Sequence, residues 1–133
     1  MASVRPESRY FIPWWKEPTI AGNTPSAHEI LSTIQLKAGH SYPAWQRTFF
    51  VLAMLTNLHG PCEFRLQLLL EELEREILVQ ATDNLLLDVG NDPLRIHSIS
   101  IMMKPTQLPR RGVYHIRFLW QEEELARATV HAR

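Results

Sequence analysis

Five short runs of apolar or alternating residues, each closed off by turn chemistry, set the main constraint on this chain. They are Glu29–Leu36 (EILSTIQL), Arg47–Thr56 (RTFFVLAMLT), Leu94–Met103 (LRIHSISIMM), Gly112–Gln121 (GVYHIRFLWQ) and Leu125–His131. Between them stand Lys37–Pro43, Asn57–Pro61, Gly90–Pro93 and Pro105–Gly112, which supply the Gly, Pro and Asn that reverse a chain. Short runs at this spacing are the pattern of strands in a sandwich or barrel. Alternation is clearest where Tyr114, Ile116, Phe118 and Trp120 share one face and His115 and Arg117 take the other. The expected fold is an all-β antiparallel sandwich, immunoglobulin-like or related, of about seven or eight strands.

A chain of 133 residues amounts to one domain. It buries somewhat under ~70% of its unfolded surface, enough for a core without disulfides or metal. The single Cys62 fits that, and a reducing, cytoplasmic setting is expected. The opening Met-Ala-Ser-Val-Arg-Pro-Glu-Ser-Arg lacks the apolar run of a secretory signal, and no stretch approaches the ~20 apolar residues of a membrane helix. Pro6, Pro13, Pro18 and Pro25 forbid a long helix in the first 27 residues. That segment is expected to be an extended, aromatic-rich arm over residues 1–27, followed by one sandwich domain over 28–133.

Lys and Arg number 14, as do Asp and Glu, so the formal charge is zero. This argues against an obligate nucleic-acid binder. The balance conceals a segregation: residues 62–92 hold eight acids against Arg65 and Arg75, a net of −6, while residues 93–120 hold Arg95, Lys104, Arg110, Arg111 and Arg117 with no acid, a net of +5. If these segments form neighbouring strands, cross-strand pairs satisfy much of the charge.

Two readings compete for Cys62–Val89, which holds neither Gly nor Pro. Leu66, Leu69, Leu70, Leu73 and Ile77 form the stripe of an amphipathic helix. Phe64, Leu66, Leu68 and Leu70 also alternate with Arg65 and Gln67, which suits a hairpin of strands near 63–71 and 76–81.

The stretches Val51–Gly60 (VLAMLTNLHG), Glu63–Leu70, Gly90–His97 (GNDPLRIH) and Pro109–Tyr114 (PRRGVY), with a closing strand pair, resemble a family of short bacterial proteins catalogued as a domain of unknown function. The resemblance implies a small antiparallel β-sandwich and favours strand, tight turn, strand over residues 62–81. It is silent on chemistry. The turn Glu72–Arg75 departs from the Asp or Gly usual there, leaving room for a helical distortion. In physical terms, Gly60 can supply positive φ before the next strand, and Tyr114 can bond upstream backbone as the tyrosine corner of immunoglobulin-like sandwiches does.

Catalytic signatures are weak. His59 and Cys62 stand three apart, but no further ligand recurs nearby, so a turn and a core thiol are expected rather than a metal or nucleophile site. His28, His97, His115 and His131 are dispersed. Glu122-Glu123-Glu124 is expected to form the turn between the last two strands. Tyr114, Phe118 and Trp120 are expected in the core rather than as a base-stacking platform beside the basic residues. No catalytic residue, cofactor or metal is expected. The candidate interaction residues are Tyr10, Phe11, Trp14 and Trp15, whose apolar area must be covered either by an edge or face of the same sandwich or by a partner. The expected function is a non-catalytic protein-binding or accessory module that presents a sheet edge or arm to a protein, self-association included. The alternative is a small ligand-binding protein or enzyme with a pocket between sheets lined by His59, His97 or His115.

Overall fold

The computed structural model describes residues 5–14, 19–21, 24–26, 31–36, 39–88, 90, 92 and 94–133. Among these, every regular element is a strand. A three-stranded antiparallel sheet sets β6 (Phe49–Thr56) between β1 (Glu7–Trp14) and β10 (His97–Met103). A larger sheet runs in the order β4 (Thr33–Ile34), β13 (Glu123–Ala132), β12 (Gly112–Trp120), β7 (Cys62–Glu71), β8 (Glu76–Ala81), with β9 (Leu85–Leu87) also on β7. Among the described strands only β4 lies parallel to its neighbour. Two short ribbons pair β5 (Ala44–Gln46) with β11 (Thr106–Leu108) and β2 (Thr19–Ala21) with β3 (Thr24–Ser26).

The sheets face each other across one apolar core, which makes the fold an antiparallel β-sandwich. Val51, Ala53 and Leu55 of β6 meet Phe64, Leu66, Leu68 and Leu70 of β7 and Tyr114, Ile116, Phe118 and Trp120 of β12. An aromatic stack joins the layers: Phe11 of β1 lies 5.5 Å from Phe118, and Phe118 lies 5.1 Å from Phe64, both pairs 20° from parallel. Offset stacking of this kind adds about 0.5–1.5 kcal/mol per pair beyond the area buried.

Residues 62–81 form the hairpin and not the helix. β7 is bonded on both sides, to β12 along Phe64–Leu70 and to β8 and β9 opposite, so every second side chain is driven into the core. The helical stripe needs Leu73 buried, yet Leu73 sits fully exposed at the tip of the turn. Glu72 N–H donates to the Arg75 carbonyl at 2.9 Å and closes that turn. Packing on two flanks overrides a leucine-rich local preference for helix.

The last hairpin turns one residue earlier than expected. Gln121 and Glu122 are its central residues, with φ of 49° and 65°, while Glu123 and Glu124 belong to β13. Gly60 has φ of +70°, as its place before β7 requires.

Candidate functional site

A sandwich of two open sheets has four edges, and a free edge offers unpaired N–H and C=O groups to any extended chain. β1 blunts one edge with Pro13, the charges of Glu7 and Arg9, and a bulge between Ser8 and Tyr10. β4 covers only His131 and Ala132 of β13, and the rest of that edge is β13 itself, which carries Glu123, Glu124 and Arg127. β8 and β9 lie in line along β7, and Thr82 bridges them: its N–H donates to the Leu66 carbonyl at 3.0 Å and its hydroxyl accepts from Leu66 N–H at 2.9 Å. That line is interrupted by the bulge opposite Leu68 and Leu69 and by exposed Asp83 and Asn84.

β10 has none of these protections. It pairs with β6 in unbroken register from His97–Leu55 to Met103–Phe49, and it contains no proline and no carboxylate, lysine or arginine. Among the described residues no strand pairs with its other side. Alternate residues of an antiparallel strand turn their N–H and C=O outward, so β10 has a regular row of backbone groups directed away from β6 that no described strand pairs. Arg95 and Lys104, both exposed, flank it.

Ile101 and Met103 of β10 are buried in the core, with Ile99 packed against it. Ser98, Ser100 and Met102 share the outer face with cross-strand rows Tyr10–Met54–Ser98, Ile12–Leu52–Ser100 and Trp14–Phe50–Met102. This outer face is apolar where most sandwiches are polar, and Leu52 at its centre has no exposure. The Ser98 and Ser100 hydroxyls and the Trp14 indole N–H are buried there without a hydrogen-bond partner. Met102 remains 50% exposed at the edge.

The arm residues take separate places. Phe11 is stacked into the core, Trp14 is buried on the outer face of β1, and Tyr10 is 44% exposed beside Met54. Trp15 lies outside the described residues, as does His28. Glu7–Trp14 therefore lies along β6 as an edge strand.

The outer face of the larger sheet is a charge ladder. Arg127 donates to both carboxylate oxygens of Glu76, at 2.8 and 3.1 Å, and to Glu124. The bonds from Arg127 hold the Glu76 carboxyl below the usual carboxylate range, and those from Glu76 and then Glu124 raise the guanidinium. Arg117 joins Glu124 at 2.9 Å, and Arg110 and Arg75 share Glu72. The −6 and +5 segments thus meet directly, through Arg110–Glu72 and through His115, whose Nε2 lies 2.7 Å from Glu71 and Nδ1 3.1 Å from Thr129. Open clefts of about 930 and 460 Å³ border the turn, lined by Glu71, Glu72, Glu74 and Arg75 with Arg110 and Arg111 in one and with His115 and Arg127 in the other.

His59, His97 and His115 do not converge. His115 is on the outer face of the larger sheet, His97 is buried in the smaller one, and His59 contacts Asn57 Oδ1 at 2.9 Å in a loop. Burial and then Arg95 lower the His97 pKa, which favours the neutral ring. Cys62 is buried, its thiol directed at the Gly60 carbonyl, and burial raises its pKa. That is the environment of an inert thiol rather than a nucleophile. Among the described residues no group of three His, Cys, Asp or Glu side chains is placed to hold a metal ion. Tyr114, Phe118 and Trp120 are buried in the core.

The sequence named Leu94–Met103 as a strand and missed it as an edge. The signal present was local: HSISIMM is uncharged over seven residues, with Arg95 and Lys104 outside it. Strand order, which makes this run an edge, is a property of the whole chain.

No family model matches the chain, and no curated protein matches it. The structure is similar to that of a solved immunoglobulin-like protein from Pseudomonas aeruginosa, with 12% sequence identity over 100% of both chains and a TM-score of 0.42. No helix among the described residues is long and apolar enough to cross a membrane.

Proposed function

We propose that the chain is a non-catalytic protein-binding sandwich that takes up an extended segment of a protein along the free edge of β10. It belongs, on this reading, with the short bacterial sandwiches it resembles, and it works in the reducing cytoplasm that its single thiol suits. The observation that carries the proposal is the contrast among edges: three are shortened, bulged, charged or interrupted by proline, and β10 is regular, uncharged and seven residues long. Strand addition draws affinity from main-chain hydrogen bonds and specificity from alternate side chains. Half-exposed Met102, with Tyr10 across the outer face, supplies the apolar contacts.

Selection of peptides from a random displayed library against the full chain tests this, with amide hydrogen exchange to map the bound site. Selected peptides should slow exchange along β10 and lose affinity for Met102→Lys. Binders that consistently protect other elements, or β10 amides already fully protected in the dilute free chain, would sink the proposal.

A further inference from the structure

We infer that the partner strand taken up at β10 is acidic at its ends: an uncharged stretch matching the seven residues of β10, with carboxylates on either side of it. The inference rests on the reading of β10 as a docking edge and names the chemistry of what docks there.

Charge carries the argument. Segment 93–120 holds five cations and no acid. The larger sheet takes two of them, Arg110 at 2.6 Å from Glu72 and Arg117 at 2.9 Å from Glu124, and Arg111 borders the cleft beside the Glu72–Arg75 turn. The other two are Arg95 and Lys104. Both are exposed, and among the described residues no carboxylate forms an ion pair with either side chain. Asp92, which precedes the strand, accepts the Leu94 N–H at 3.1 Å and closes the turn there.

These two cations bracket the unpaired backbone row. From His97 to Met103 the strand runs about 20 Å at ~3.4 Å per residue, with Arg95 two residues before it and Lys104 directly after it. A segment laid along the row therefore passes a cation at each end. Opposite charges across neighbouring strands attract and like charges repel, and β10 itself carries no charge, so discrimination by charge falls to the ends. Exposed apolar side chains stand close by in the chain, Leu94 and Ile96 beside Arg95 and Met102 two residues from Lys104. Each end thus joins apolar contact to positive charge.

The same cations disfavour other occupants. A second copy paired antiparallel along the whole of β10 brings Lys104 of one chain towards Arg95 of the other at both ends, and a basic segment meets the same repulsion. Repulsion of wrong partners is as much a part of specificity as attraction of the right one. A nucleic acid offers anions but no peptide N–H and C=O groups for the row on β10.

Three labelled synthetic peptides test the inference. They share a centre of alternating serine and valine matched in length to β10, and they end on both sides in paired glutamates, glutamines or lysines. Fluorescence anisotropy reads binding to the full chain, and amide hydrogen exchange locates it. The glutamate peptide should bind along β10 about tenfold more tightly than the glutamine peptide and loosen as salt is added, with the lysine peptide weakest. The double reversal Arg95→Glu with Lys104→Glu should invert that order, and lysine-peptide binding by this variant shows in itself that the edge is intact. Equal binding of the three peptides along β10 overturns the acidic preference and leaves the edge reading standing. An acidic preference that survives the double reversal overturns it as well, since the charge is then read elsewhere. Protection of β10 amides that grows with the concentration of the chain alone gives the edge to a second copy, against the inference. Peptides that bind at other elements, or three that do not bind at all, overturn both readings.

Discussion

The hydroxyl of Tyr114, a residue with no solvent exposure, donates a 2.5 Å hydrogen bond to the carbonyl oxygen of Arg110, four residues earlier. The bond ties the Pro109–Gly112 loop to the first buried residue of β12, and burial raises the phenol pKa accordingly. Tyr114→Phe keeps the ring packing and removes only this bond. It should cost about 1 kcal/mol, which lowers the melting temperature of a domain this size by roughly 3–6 °C. Thermal unfolding followed by circular dichroism measures it, and an unchanged midpoint would remove the stabilising role.

The turn between β12 and β13 places Gln121 and Glu122 in the left-handed region, with φ of 49° and 65°, where Asn and Gly are favoured. Each non-Gly residue there carries a cost on the order of 1 kcal/mol. Glu122→Gly removes that cost at one position and also the contact of Glu122 with Arg65 at 2.6 Å, whose glutamate is 75% exposed. Exposed ion pairs contribute about 0–1 kcal/mol, so the turn term should win and raise stability by about 0.5 kcal/mol. Urea unfolding at equilibrium checks the sign; a lower midpoint would mean that the Arg65 contact outweighs the backbone strain.

The sequence displayed what depends on neighbours in the chain. Tyr114, Ile116, Phe118 and Trp120 alternate into the core as their spacing predicts, and the Tyr114 bond follows from its place after the 109–112 loop. Leu69 and Leu73 misled for a physical reason: a helix and a strand can share the same leucines, and the choice falls to β12 and β8, which bond β7 on both sides. Phe11 shows the same limit. Its proline-rich surroundings indicate an extended segment, but only the fold brings it 5.5 Å from Phe118. The β10 edge was illegible because an uncharged strand has the same composition at a sheet's centre as at its border.

His97 lies buried on β10, and burial together with Arg95 lowers its pKa. A histidine whose folded pKa is lowered binds its proton less readily in the fold than in the unfolded chain. Its contribution is therefore complete above the ordinary value of 6.5 and is lost as pH falls through the lower folded value. Melting temperature should drop as the solution is acidified below 6.5, and His97→Gln, which stays neutral, should reduce that drop. Equal slopes in the two proteins would place the acid sensitivity elsewhere, with the Glu76–Arg127 pair the next group to examine at lower pH.

Phe11 decides whether the arm is a structural part of the sandwich. It stacks on Phe118, which stacks on Phe64, so one ring from β1 completes a column that spans both sheets. Phe11→Ala deletes buried ring area and opens a cavity between the layers. Large-to-small aromatic changes in cores cost about 3–5 kcal/mol, and the half-buried position of Phe11 sets the expectation near 2–3 kcal/mol. Tyr10→Ala, one residue away on the outer face at 44% exposure, should cost well under half as much. The pair of measurements separates burial from mere proximity: equal and small losses would mean that β1 does not rest on β6 in the free chain, and that its aromatics are available to a partner.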